Sequence, residues 1–207
     1  YLRDYIVAGN AGEIYYLYAQ RLNLGRIRKE EDVVWSFGPH DISTILYILN
    51  MKPTEVSAQS ESYLQKKIVD VAFLTLKFPQ GILAHIHLSW LDPSKTRKLT
   101  IVGSKNMLVF DDMEPAEKIR VYNKGANISR RYENYGELIG LRDGEVQIPF
   151  IGAGEPLRNE CEHFMECINF NRIPRSSGYD GINVLKILKA MRESSNDKGR
   201  TVRMKWQ

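Results

Sequence analysis

The sequence predicts an α+β domain: one large, open, mostly antiparallel β-sheet with helices on one face. Three observations carry this. Strand-like runs follow one another from about residue 54 to 122 with no helix between them, amphipathic helical patterns lie on either side of that stretch, and the alternating βαβ pattern of a parallel nucleotide-binding sheet is missing. The 207 residues, 43% of them hydrophobic, are expected to form a single domain with a sizeable core.

Taken in order, EIYYLYAQRL (13–22) reads as a strand. A loop leads to a helix over 38–50, where Ile42, Ile45, Leu46 and Leu49 form a core-facing stripe and His40, Ser43, Thr44 and Tyr47 fall on the opposite side. TEVSAQSESY (54–63) and KIVDVAFLTLKF (67–78) are the next strands, and PQG (79–81) has turn chemistry, so ILAHIHLSW (82–90) folds back as the second arm of a hairpin. In that arm Ile82, Ala84, Ile86, Leu88 and Trp90 share one face, while His85, His87 and Ser89 share the other. RKLTIVGS (97–104), NMLVFDD (106–112) and EKIRVY (117–122) continue the meander, and residues 123–147 read as loop. Two helices, at 155–170 and 179–195, and a closing strand, TVRMKW, complete the chain.

Helices on one face leave the His85/His87 face open over a whole sheet, so homo-oligomer formation through that face is expected. No run approaches the length of a membrane span, and no basic-then-apolar leader is present, which with two cysteines, Cys161 and Cys167, points to a reducing cytoplasm. The cysteines are six apart on a predicted helix, diverge too far to share a ligand, and read as buried thiols. The net charge of +4 is spread among acidic residues without a nucleic-acid-binding signature, so neither nucleic acid nor membrane is an expected partner. The chain opens on Tyr1, already inside an apolar pattern, which reads as a fragment, a processed chain or part of something longer.

VVWSFGPHDIST (33–44) carries the first candidate chemistry. With Gly38 as N-cap and Pro39 at the first helical position, His40 falls in the first turn, where free N–H groups and the helix dipole disfavour an imidazolium. A neutral imidazole can accept a proton. Competing motifs are weaker. Gly152 and Gly154 begin a G-x-G-x-x-G pattern, but Leu157 holds its third position. His85-x-His87 lacks a third metal ligand, and Glu160-x-x-His163 lacks the second copy that a di-iron helix pair needs. Ser43, Asp41 and His40 have no nucleophile elbow, and Asp41 points about 100° from His40.

GNAGEI (9–14), VVWSFGPHDIS (33–43), HLSWLDPSKTRKLTIVGSKNMLVFDDMEPAEKIRVY (87–122) and EPLRNECEHFMECI (155–168), in this order, resemble the C-terminal half of the Gfo/Idh/MocA oxidoreductases. They look most like the nucleotide-sugar branch, the UDP-N-acetylhexosamine and UDP-hexosaminuronate dehydrogenases. The resemblance implies a glyceraldehyde-3-phosphate dehydrogenase-like C-terminal domain that binds substrate and makes subunit contacts. It places the NAD or NADP site on a Rossmann domain that this chain lacks, so the chain alone is expected to hold no cofactor and to be inactive. Glu117-Lys118-Ile119 sits in a strand pattern and does not replace the family's E-K-P segment.

His40 occupies the position of the family's substrate-pocket histidine and is the expected catalytic residue. Ser36, where many relatives carry aspartate, with Asp41, Trp90, Lys95, Arg97 and Arg28, are the expected substrate-binding residues; the basic ones suit a sugar diphosphate. A serine at 36 can orient but cannot share a proton. The expected function is therefore the substrate-binding and oligomerisation domain of an NAD(P)-dependent oxidoreductase acting on a sugar or nucleotide-sugar hydroxyl. The alternative is a non-catalytic sugar-nucleotide-binding or scaffolding module of the same fold.

Overall fold

The computed structural model describes residues 1–25, 27–128, 139–152 and 154–206. A short helix, α1 (Leu2–Val7), precedes β1 (Ile14–Leu22) and the long helix α2 (Val33–Leu49). Then come β2 (Glu55–Glu61), β3 (Val71–Lys77), β4 (Leu83–Ser89), β5 (Thr96–Gly103), β6 (Met107–Asp111) and β7 (Ile119–Tyr122). β8 (Gly125–Ile128), β9 (Ile139–Arg142), β10 (Val146–Gln147), α3 (Pro156–Asn169), α4 (Gly178–Asn196) and β11 (Val202–Arg203) finish the chain.

Nine strands form one sheet in the order β10-β7-β6-β5-β1-β4-β3-β2-β11, and β8 pairs with β9 as a separate hairpin. Every pairing among the described residues is antiparallel except β1 with β4. That exception matters for the site, because it brings the C-terminal ends of β1 and β4 to the same edge as the start of β5: Leu22 registers with both Ser89 and Thr96. The α+β expectation, one large, mostly antiparallel sheet with helices on one face, is met.

Alternation sorts the faces. Leu17 and Ala19 of β1, Leu74 and Leu76 of β3, Ala84, Ile86 and Leu88 of β4, and Leu99 and Ile101 of β5 are buried on one side. Ile42, Ile45 and Ile48 of α2 and Ile187, Leu188 and Met191 of α4 cover that side, each large aliphatic contributing about 2 kcal/mol on removal from water. Ser194 of α4 accepts from Ala58 N–H at 2.9 Å and fastens this helix to β2. The opposite face carries Tyr18, Phe73, His85 and His87 in stacked contact, Phe73 and His87 with centroids 4.4 Å apart. Thr75 Oγ1 meets His85 Nδ1 at 3.2 Å.

Three sequence expectations need correction. The central helix begins at Val33, five residues before Gly38, because the Asp32 carboxylate caps it by accepting from Trp35 N–H at 2.9 Å. Gly38 is inside the helix for a packing reason: a Cβ there would lie 3.2 Å from Leu188 and 3.5 Å from Leu88. Pro39 is likewise internal. The N-terminal apolar residues form α1, with Leu2, Tyr5 and Ile6 against the core. The stretch 123–147, expected as loop, holds β8, β9 and β10, while 129–138 lie outside the described residues. Finally, Cys167 is buried but Cys161 is exposed.

Candidate functional site

The site is built at the β1/β4 end of the sheet. Arg21 continues the inward alternation of Leu17 and Ala19, so its charge arrives at the edge of the core and needs a partner. Asp41 of α2 supplies it: Nε and Nη2 of Arg21 donate to the two carboxylate oxygens at 2.7 and 3.2 Å, and both side chains are largely shielded from water. This fork ties α2 to β1. Arg97 stands directly opposite Arg21 across the β1–β5 ladder and has its own acid, Asp112, at 3.3 Å. Lys118 reaches the other oxygen of Asp112 at 3.5 Å. A cavity of about 200 Å³ lies between these groups, walled by Arg21, Asp41, Thr44, Arg97 and Asp112.

His40 precedes Asp41 on the solvent side of α2, beside both guanidinium groups. Its backbone carbonyl accepts from the Ser43 and Thr44 hydroxyls at 3.0 and 2.7 Å. Partial loss of hydration lowers the imidazole pKa from its ordinary 6.5; Arg21 and Arg97 lower it further, and Asp41 pulls the other way. The neutral form is thus favoured, though by a different route from the one expected. His40 lies two turns inside α2, beyond the reach of the N-terminal dipole.

The other expected site residues divide. Arg97 is in the cluster. Asp41 is there too, but both its oxygens are held by Arg21, so it positions the helix rather than presenting a free carboxylate. Ser36 lies one turn before His40 on the same face, its N–H on Asp32 O at 3.0 Å. Lys95 is exposed in the turn before β5. Arg28 is engaged by Glu31 at 2.6 Å on the loop leading into α2 and does not line the cavity. Trp90 stands apart from the cavity: it is 1% exposed, and its indole N–H donates to the fully buried Asp70 at 2.5 Å, a structural role. Asp70 also accepts from Tyr63 and Leu64 N–H at 2.7 and 2.8 Å, fixing the loop before β3.

Arg21, Thr44 and Asp112 were missed. The signal for Arg21 was available, since a charged residue at an inward-facing strand position requires a buried counter-charge. Thr44 and Asp112 become visible only once α2 and β6 are laid on the sheet.

Metal and cofactor sites can be weighed in the same way. Among the described residues no group of three or more His, Cys, Asp or Glu side chains is arranged to hold a metal. His85 is taken up by stacking, and His163 Nε2 accepts from Arg175 N–H at 3.0 Å. The 150–157 segment does not fit a dinucleotide: a Cβ on Gly152 would meet nothing within 4 Å, and one on Gly154 would meet only the Asn159 side chain, at 3.2 Å. No helix among the described residues is long and apolar enough to cross a membrane.

Comparison with known proteins places the fold. Solved structures of similar fold include UDP-N-acetylglucosamine 3-dehydrogenase GnnA from Acidithiobacillus ferrooxidans, at 19% identity and TM-score 0.72, covering 94% of this chain and 58% of that one. Aldose-aldose oxidoreductase from Caulobacter crescentus matches at 16% identity and TM-score 0.76, covering 98% and 59%. GenD2 from gentamicin A biosynthesis, solved in complex with NAD, matches at 14% identity and TM-score 0.73, covering 99% and 60%. The chain therefore spans about three fifths of the length of these structures. No curated protein matches the sequence. The family model for the GFO/IDH/MocA C-terminal domain matches residues 1–109, over half of the chain. With its one parallel strand pair, its covered and open sheet faces and this sequence match, the chain belongs to the GFO/IDH/MocA family, as a C-terminal domain.

Proposed function

We propose that this domain binds the substrate of an NAD(P)-dependent oxidoreductase acting on a sugar or nucleotide-sugar hydroxyl, and that His40 is the base that takes the hydroxyl proton. One observation carries the reading: His40 stands on the solvent side of α2 beside the Arg21–Asp41 and Arg97–Asp112 pairs, where partial burial and the two guanidinium groups favour its neutral form against the pull of Asp41. A neutral imidazole nitrogen accepts the proton as the hydroxyl becomes a carbonyl, and the developing oxyanion is stabilised by the nearby positive charge of Arg97. On this reading NAD or NADP is bound by another part of the full protein. The names of the GnnA and aldose-aldose oxidoreductase structures, a UDP-sugar dehydrogenase and an aldose oxidoreductase, support a sugar hydroxyl as the substrate class.

The test is turnover by the full natural protein over a panel of sugars and UDP-sugars with NAD and with NADP. The reading expects a substrate in that panel, and a loss of kcat of roughly a hundredfold or more in His40→Ala. The second reading, a non-catalytic sugar-nucleotide-binding or scaffolding module, draws on Ser36, which cannot share a proton with His40. It expects binding of the same panel without turnover.

We also propose that two copies associate through the open face. Tyr16, Phe73 and Leu83 there are each more than two fifths exposed, unusual for a sheet centre in a lone subunit. Phe73→Glu should convert the oligomer to monomer in light scattering. The free cysteines Cys161 and Cys167 are consistent with a cytoplasmic protein.

A further inference from the structure

The open face of the sheet carries titratable groups that the site at His40 does not use. Tyr18, His85, Phe73 and His87 form one continuous stack across β1, β4 and β3, with successive ring centroids 6.2, 6.3 and 4.4 Å apart. Register explains it: His85 lies between Tyr18 and Thr75, and His87 lies opposite Phe73. Charge is arranged around this stack rather than in it. Between Lys77 at the end of β3 and Asp92 beyond β4, the outward positions of β1, β3 and β4 hold no Lys, Arg, Asp or Glu. The charged side chains of this face stand further out: Lys77 with Glu55 of β2 at 3.5 Å, Glu61 of β2, Lys98 of β5 in register with Asp111 of β6, and Asp92. Tyr16 and Tyr18 are the other titratable groups on β1. A face that meets a copy of itself across a two-fold axis sets its central residues against their own kind, so a charged centre would repel. A neutral aromatic centre with both signs at its rim is the arrangement that allows the two copies to meet.

We infer that His85 and His87 make the association of two copies depend on pH: neutral imidazoles hold the interface closed and imidazoliums open it. The inference rests on the proposed association through this face and adds its regulation. A second copy removes the remaining water from both rings, and an imidazolium without water is far less stable than the neutral ring. Two histidines per subunit put four such charges into one isologous contact, where they also repel one another. In the single subunit partial burial already lowers both pKa values from the ordinary 6.5; Asp92 pulls His87 the other way, and His85 lowers it. The paired form therefore binds fewer protons than the separate subunits. Association is strongest above about pH 6.5 and weakens as pH falls below it.

The experiment is sedimentation equilibrium of the full natural protein at about pH 8, 6.5 and 5.5 and one ionic strength, with near-UV circular dichroism at each pH to show that the subunits stay folded. The dissociation constant of the step that Phe73→Glu abolishes is expected to rise about a hundredfold or more between pH 8 and pH 5.5, and to recover on return to pH 8. In His85→Gln/His87→Gln, whose amides do not titrate, it should change by less than about threefold over the same range. The single variants His85→Gln and His87→Gln, each with an intermediate dependence, serve if the double variant does not fold. A wild-type dissociation constant that is the same at pH 8 and pH 5.5 would overturn the inference while leaving the association standing. An equally steep loss in the glutamine variants would overturn it too, by placing the titrating groups elsewhere. A monomer at pH 8, or association at pH 8 that Phe73→Glu leaves intact, would instead remove the association through this face, and the inference with it.

Discussion

Arg21 and Arg97 face each other across the β1–β5 ladder, two like charges in register, and each is neutralised by an aspartate from a different element. Cross-strand like charges are destabilising alone, so the two acids are what permit this concentration of donors beside His40.

The pairing sets two pH shifts of opposite sign. Asp41 raises the His40 pKa, so Asp41→Asn should lower it further and move the acid limb of a kcat/KM profile to lower pH. Arg97 lowers it, so Arg97→Gln should move the same limb to higher pH. The His40 proton resonances, followed by NMR titration, check both directions. Asp41→Asn should also loosen α2 from β1 and reduce kcat, because Arg21 loses its charge partner.

Trp90 and Asp70 separate structure from function. Trp90→Phe removes one of three donors to a buried carboxylate and should cost about 1–3 kcal/mol in urea unfolding, with KM unchanged. Asp70→Ala strands the buried Trp90 indole N–H and frees the Tyr63 and Leu64 N–H groups, and should cost about 3 kcal/mol. An altered KM in Trp90→Phe at unaltered stability would return the indole to the substrate pocket.

The start of α2 is equally open to measurement. Asp32→Ala should cost about 1 kcal/mol as a lost N-cap. Gly38→Val should cost about 1–3 kcal/mol, because a branched side chain drives into Leu188 and Leu88.

Acid should weaken the fold through its histidines. Burial lowers the pKa of His85 and His87, and burial with the two arginines lowers that of His40. A group with a lowered folded pKa takes its proton first in the unfolded chain. Its contribution is therefore complete above about pH 6.5 and is lost as pH falls below that value. The urea midpoint should drop between about pH 7.5 and pH 5, and by less in His85→Gln/His87→Gln.

Much of this was legible in the sequence because period-two alternation dictates faces. The run from Ile82 to Trp90 announced its buried and open sides, and PQG its turn, where Gln80 and Gly81 take φ of 63° and 80°. Helix boundaries were harder. Gly38-Pro39 imitates a helix start, and only the approach of Leu188 reveals why a glycine stands there. His40 was found by pattern and resemblance, whereas Arg21 acts on it from a strand 19 residues away and Asp112 pairs with Arg97 from just beyond β6, proximities no local pattern contains. Trp90 shows the converse: a motif residue can mark a family because the fold needs it, as its bond to Asp70 does here.

The central claim, that His40 is the base, is tested most directly by the pH dependence of kcat/KM for the full natural protein beside His40→Asn. The account predicts an acid limb in the wild type with an apparent pKa below 6.5, and its disappearance in the variant together with most of the activity. An acid limb of the same pKa in both proteins, at comparable rates, would contradict it.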